Sequence, residues 1–68
     1  MWSAVKLHRR RRKAVRLASS GDVKDLAAYL ILYPKTLNGT GAHGLTCLQA
    51  ACINGRIEMV VFLFLIVL

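Results

Sequence analysis

Acidic side chains are scarce in this chain: Asp22, Asp25 and Glu58 stand against ten lysines and arginines, leaving a formal charge of +7. Each acid sits where a helix is expected to begin, so the chain has no spare carboxylate pair for acid–base work. Histidine is limited to His8 and His43 and there is no Cys-x-x-Cys, so one copy of the chain cannot assemble a zinc site. Cys47 and Cys52 lie five positions apart, on different sides of a helix, which argues against a bridge and for reduced thiols in a cytoplasmic or nuclear protein. No Ser-His-Asp set is present, and the glycines punctuate helices without forming a phosphate loop. We expect no catalytic residue and no cofactor. The basic segment is followed by "AVRLASSGDVKD", too broken by Ser, Gly and Asp for a secretory signal. The apolar run 59–68 would make roughly 15 Å of helix against a hydrocarbon layer of about 30 Å, too short to span.

What the chain does have is apolar content, at 56% of its 68 residues. That excludes a disordered polar tail and allows at most one domain with a thin core, since chains this short bury only about 60% of their unfolded surface. The charge is concentrated at one end, in Lys6, Arg9, Arg10, Arg11, Arg12, Lys13 and Arg16. Residues 1–13 therefore read as a basic segment that either extends a following helix or trails as an arm.

From Ala14 the apolar positions Val15, Leu17 and Ala18 predict a short helix stopped at Gly21. Asp22 caps a second helix, with Asp25 three residues on, and Leu26, Tyr29, Leu30 and Tyr33 form its apolar stripe before Pro34 ends it. "KTLNGTGAHG" is turn or hairpin text. A third helix is capped by Thr46 and stopped at Asn54-Gly55, and a fourth begins near Ile57. Gly21 and Gly55 lie 34 residues apart, and each separates a short helix from a longer one. This is an internal repeat.

The segment "GLTCLQAACINGRIEMVVFLF" resembles an ankyrin repeat, whose pattern runs G-x-T-P-L-H-x-A-A-x-x-G-x-x-E-x-V-x-x-L-L. Gly44, Thr46, Leu48, Ala51, Gly55, Glu58, Val60 and Leu63 fall on it. Ala50 and Ala51 would let two helices approach closely, while Leu48, Ile57, Val60, Val61 and Leu63 supply apolar surface for packing. The departures are Cys47 for Pro, Gln49 for His and Cys52 for Ala; Gln49 is expected to make a weaker version of the hydrogen bonds between neighbouring turns. Upstream, residues 14–43 resemble a degenerate first unit, with Leu37 and Asn38 before the hairpin and no Thr-Pro-Leu-His equivalent. Residues 44–68 form the second unit, cut off after its second helix. The expected fold is all-α, with helix-turn-helix units of the ankyrin type stacked as a short solenoid fragment, a piece or short form of a longer repeat protein.

The resemblance implies a non-catalytic module that binds a protein partner through a concave surface. Carried over by position, that surface holds Thr40, Ala42, His43, Leu45, Ile53 and Asn54. A solvated turn histidine remains open for His43, and core packing for Ile53. A second reading makes Arg9, Arg10, Arg11, Arg12 and Lys13 a nuclear-import signal or an anion-binding arm; the run lacks aromatics, so base stacking is not indicated and specific nucleic-acid binding ranks last. Arg16-Leu17-Ala18-Ser19 has the look of a basophilic kinase site, although Ser19 is better explained as a helix end. A third reading places the apolar C-terminal helix on a membrane surface. With no charge after Glu58, that helix is also expected to drive self-association.

Overall fold

The computed structural model describes residues 2–41 and 44–67, with side chains described for 5–41 and 44–66. Among these, four α-helices follow one another, α1 (Trp2–Ser20), α2 (Val23–Leu32), α3 (Cys47–Ile53) and α4 (Ile57–Val67), with a 3₁₀ turn at Pro34–Thr36 and no strand. The protein is all-α. Of the two outcomes left open for the basic segment, the helical one holds: α1 runs unbroken through the arginines for 19 residues.

The turns form for local reasons. Gly21 and Gly55 adopt φ of 78° and 66°, the left-handed conformation that stops a helix at little cost only in glycine. After α3, Gly55 N–H donates to the Cys52 carbonyl at 3.2 Å and Arg56 N–H to the Ala51 carbonyl at 2.9 Å, the paired bonds of a Schellman stop. Asp22 caps α2 by accepting from the Asp25 N–H at 3.2 Å. Thr46 caps α3 in a full capping box: its hydroxyl oxygen accepts from the Gln49 N–H at 3.3 Å, and the Gln49 side-chain oxygen accepts from the Thr46 N–H at 3.0 Å. Gln49 thus secures its own helix start. Beyond the 3₁₀ turn, Gly41 N–H donates to the Leu45 carbonyl at 2.8 Å.

Packing is organised around α1, which lies against α3, α2 and the 3₁₀ turn; α3 packs on α4, and α4 touches α2. The fully buried residues of α1 and α3 are all small: Ala14, Val15 and Ala18 on one, Cys47, Ala50 and Ala51 on the other. Small side chains bring the two backbones close, and the larger core residues Leu26, Met59 and Leu63 fill the space beneath. Thr36 is the one buried polar residue among those described, and its hydroxyl donates to the Tyr33 carbonyl at 2.7 Å. The Cα radius of gyration, 11.0 Å, is the value of about 11 Å expected for a compact chain of this length.

Two of the apolar residues expected to supply packing surface do not enter this chain's own core. Ile57 and Val61 are 76% and 54% exposed, because α4 turns Met59 and Leu63, one helical turn apart, toward the core. Positions two residues away then fall on the opposite side. Ile57, Val61, Phe64 and Leu65 form an outward apolar face. Phe62 is half-buried, Ile66 is exposed, and the side chains of Val67 and Leu68 lie outside the described residues.

Candidate functional site

Once the basic segment is helical, its cations are sorted by the 100° step of the helix. Arg11 stands one turn before Val15 and two before Ala18, on the buried side. The loop crosses above it so closely that a Cβ on Gly39 would lie 2.5 Å from the Arg11 side chain. Its Nε is buried without a hydrogen-bond partner. Arg10 and Lys13 lean toward α2, where the Arg10 guanidinium lies 4.2 Å from the centre of the Tyr33 ring and the Lys13 ammonium 5.3 Å from that of Tyr29. The two tyrosine rings stand 4.9 Å apart at 55°, so the expected apolar stripe of α2 also serves as a platform for the basic helix.

Arg9, Arg12 and Arg16 lie on the remaining face. With Lys13, Val15 and Ser19 they form one wall of an open groove of about 740 Å³, whose other wall is Leu45, Ile53 and Asn54. That volume is within the range of ligand-binding clefts, about 300–1,000 Å³. Four cations and no carboxylate line it. Asp22 and Asp25 are at the start of α2, and Glu58 is in the first turn of α4.

Of the expected contact residues, Leu45, Ile53 and Asn54 are brought together and joined by Arg9, Arg12 and Lys13. Ile53 is 69% exposed, which removes the core-packing alternative for it. Asn54 holds the end of α3 by donating from its side-chain amide to the Ala50 carbonyl at 2.8 Å. Thr40 is exposed on the loop and does not line the groove; Ala42 and His43 lie outside the described residues. Of the five cations expected to act as one run, Arg10 and Arg11 point elsewhere. Ser19 is half-buried at the groove wall, and its hydroxyl donates to the Val15 carbonyl at 3.0 Å.

Sequence reasoning missed Val15 and Arg16 as groove residues. The signal for Arg16 was present: Arg9, Arg12 or Lys13, and Arg16 recur at three- and four-residue steps, the spacing of one helical face. It also missed Arg56, whose Nε–H donates to the Ser19 carbonyl at 3.0 Å, tying the α3–α4 turn to the end of α1. A cation there also complements the partial negative charge of the helix end.

Among the described residues no three His, Cys, Asp or Glu side chains cluster, and no helix is long and apolar enough to cross a membrane. Cys47 and Cys52 are both free thiols; Cys47 is fully buried, and burial pushes its thiol up to about 11. Comparison with protein families, curated proteins and solved structures finds no match to this chain.

Proposed function

We propose that this chain is a non-catalytic protein-binding module built from two ankyrin-like units, contacting its partner through the groove between α1 and the residues Leu45, Ile53 and Asn54. The observation that carries the reading is this convergence. Three of the six residues singled out by the resemblance, Leu45, Ile53 and Asn54, line an open groove. The order of packing supports it as well, since α1 lies on α3 and α4 touches α2, as in a stack of two helix pairs. Arg56 links the two glycine-stopped turns, which fits neighbouring units of one stack. The reading carries a cytoplasmic or nuclear location with it, where free thiols such as Cys47 and Cys52 stay reduced.

The test is to pan a random peptide library on the folded chain and to measure the enriched peptides against Leu45→Ser and Ile53→Ser. Removing an aliphatic anchor from a contact centre lowers affinity about tenfold or more. Enriched peptides that bind both variants as tightly as the parent would place the contact elsewhere and sink the reading.

A further inference from the structure

We infer that the partner of this groove is an acidic peptide segment, which presents two or three carboxylates to Arg9, Arg12 and Arg16 and seats an aliphatic side chain against Ile53 and Leu45. The inference rests on the binding-module reading and adds the chemistry of the partner to it.

Charge complementarity comes first. The groove gathers four of the chain's ten lysines and arginines and none of its three acids. Such a one-signed cleft attracts negative groups and disfavours basic partners. Arg9, Arg12 and Arg16 supply its charge, the Lys13 ammonium leaning to Tyr29, and the planar guanidinium fork matches a carboxylate or phosphate in two parallel hydrogen bonds.

Size and lining then separate a peptide from a nucleic acid. Arg9 and Arg16 are seven residues apart on α1, about 10 Å along the axis, the reach of about three residues of extended chain. An acid at each end of such a segment would meet Arg9 and Arg16, and one between them would meet Arg12. The opposite wall is aliphatic, with Ile53 69% exposed and Leu45 half-buried. Among the described residues no aromatic side chain lines the groove, so its walls lack the ring platforms on which successive bases stack. A phosphate backbone would use the arginines and leave Ile53 uncovered, whereas an acidic peptide with one aliphatic side chain uses both walls.

The test sequences the peptides enriched on the full chain, then measures the tightest by fluorescence anisotropy, with single-stranded and duplex DNA as competing probes. The expected result is a set of peptides with net negative charge and an aliphatic anchor, weakened as salt rises from about 0.05 M to about 0.5 M. Arg12→Glu is expected to weaken binding about tenfold or more. Lys24→Glu makes the same change in net charge away from the groove and is expected to shift it by about twofold or less. Circular dichroism of each variant controls for folding, and Arg9→Gln with Arg16→Gln serves as a milder second variant. Enrichment of neutral or basic peptides that still depend on Ile53 would overturn the acidic partner while leaving the binding module standing. Equal losses from Arg12→Glu and Lys24→Glu would likewise overturn the groove's part in charge selection. Failure to enrich any peptide, with DNA bound through Arg9 and Arg12, would overturn both.

Discussion

The two cysteines of α3 provide an internal comparison of buried and exposed chemistry on one helix. Cys47 is fully buried beside Ala50 and Ala51 in the core, and Cys52 is exposed. Only a thiolate that the reagent can reach is alkylated, so Cys47 reacts chiefly through opening of the fold. A domain with about 0.05–0.15 kcal/mol of stability per residue carries about 3–10 kcal/mol at this length, and about 5 kcal/mol already slows Cys47 by more than 10³ relative to Cys52 at about pH 8. Raising the pH adds a second, signed effect. Burial lifts the Cys47 thiol from 9.0 to about 11, so the folded state holds its proton where the unfolded state has lost it. The associated stability is fully present below about pH 9 and is lost as pH rises toward 11, at about 1.4 kcal/mol per pH unit and about 2–3 kcal/mol in all. Alkylation rates for each cysteine, read by mass spectrometry, measure the first effect. Urea unfolding of the parent and of Cys47→Ala across pH 8–11 measures the second. Tyr29, whose hydroxyl is raised by burial and by neighbouring Tyr33, titrates in both proteins and cancels in the comparison. Cys47 reacting within tenfold of Cys52 while the chain is fully helical would refute the packing of α3. Parallel pH profiles for the two proteins would refute the burial argument.

Gly41→Ala places a Cβ 2.8 Å from Val15 Cγ2 and 3.2 Å from the Arg11 carbonyl oxygen. We expect a net loss of about 1–2 kcal/mol in urea unfolding, overpacking outweighing the entropy gained, and a smaller loss when Val15 is also Ala. Arg56→Ala removes the bond to the Ser19 carbonyl and is expected to cost about 1 kcal/mol, a fall of about 4–8 °C in the thermal transition followed by circular dichroism. A fluorescent fusion is expected to lose nuclear enrichment when Arg9 and Arg12 become Gln, if the exposed cations direct it there; an unchanged distribution removes the import reading.

Much of the helical outline was legible because it depends on short-range chemistry. Gly21 and Gly55 as stops, Asp22 and Thr46 as caps, and Pro34 as an end each act within a turn of their own position. The length of α1 was not legible, since its arginines carry no apolar period. What holds that part of the helix is distant in sequence: the loop above Arg11 and the rings of Tyr29 and Tyr33. In α4 the difficulty is the reverse, for a run that is apolar at nearly every position has no period by which to choose its inward side. Only the packing of α4 on α3 decides for Met59 and Leu63 and against Ile57 and Val61. The groove was half legible: Leu45, Ile53 and Asn54 follow from the resemblance, whereas Val15, Arg16 and Ser19 join them only when α1 packs on α3.

The outward face of α4 bears on symmetry. Ile57, Val61, Phe64 and Leu65 present an uncharged strip, while the free face of α1 is a row of arginines. A head-to-tail contact of α4 with α1 would take the water from those guanidinium groups and return ring-face contacts with phenylalanine in place of hydrogen bonds. Copies that meet α4 against α4 would use the same face twice, and an isologous contact of this kind closes at two instead of growing into a filament. Sedimentation equilibrium of the purified chain is expected to follow a monomer–dimer curve, abolished by Val61→Glu. The strip shares no residue with the groove, so such a pair would keep both grooves open and be bivalent. A partner with two acidic segments would then be held with an avidity that neither groove provides alone.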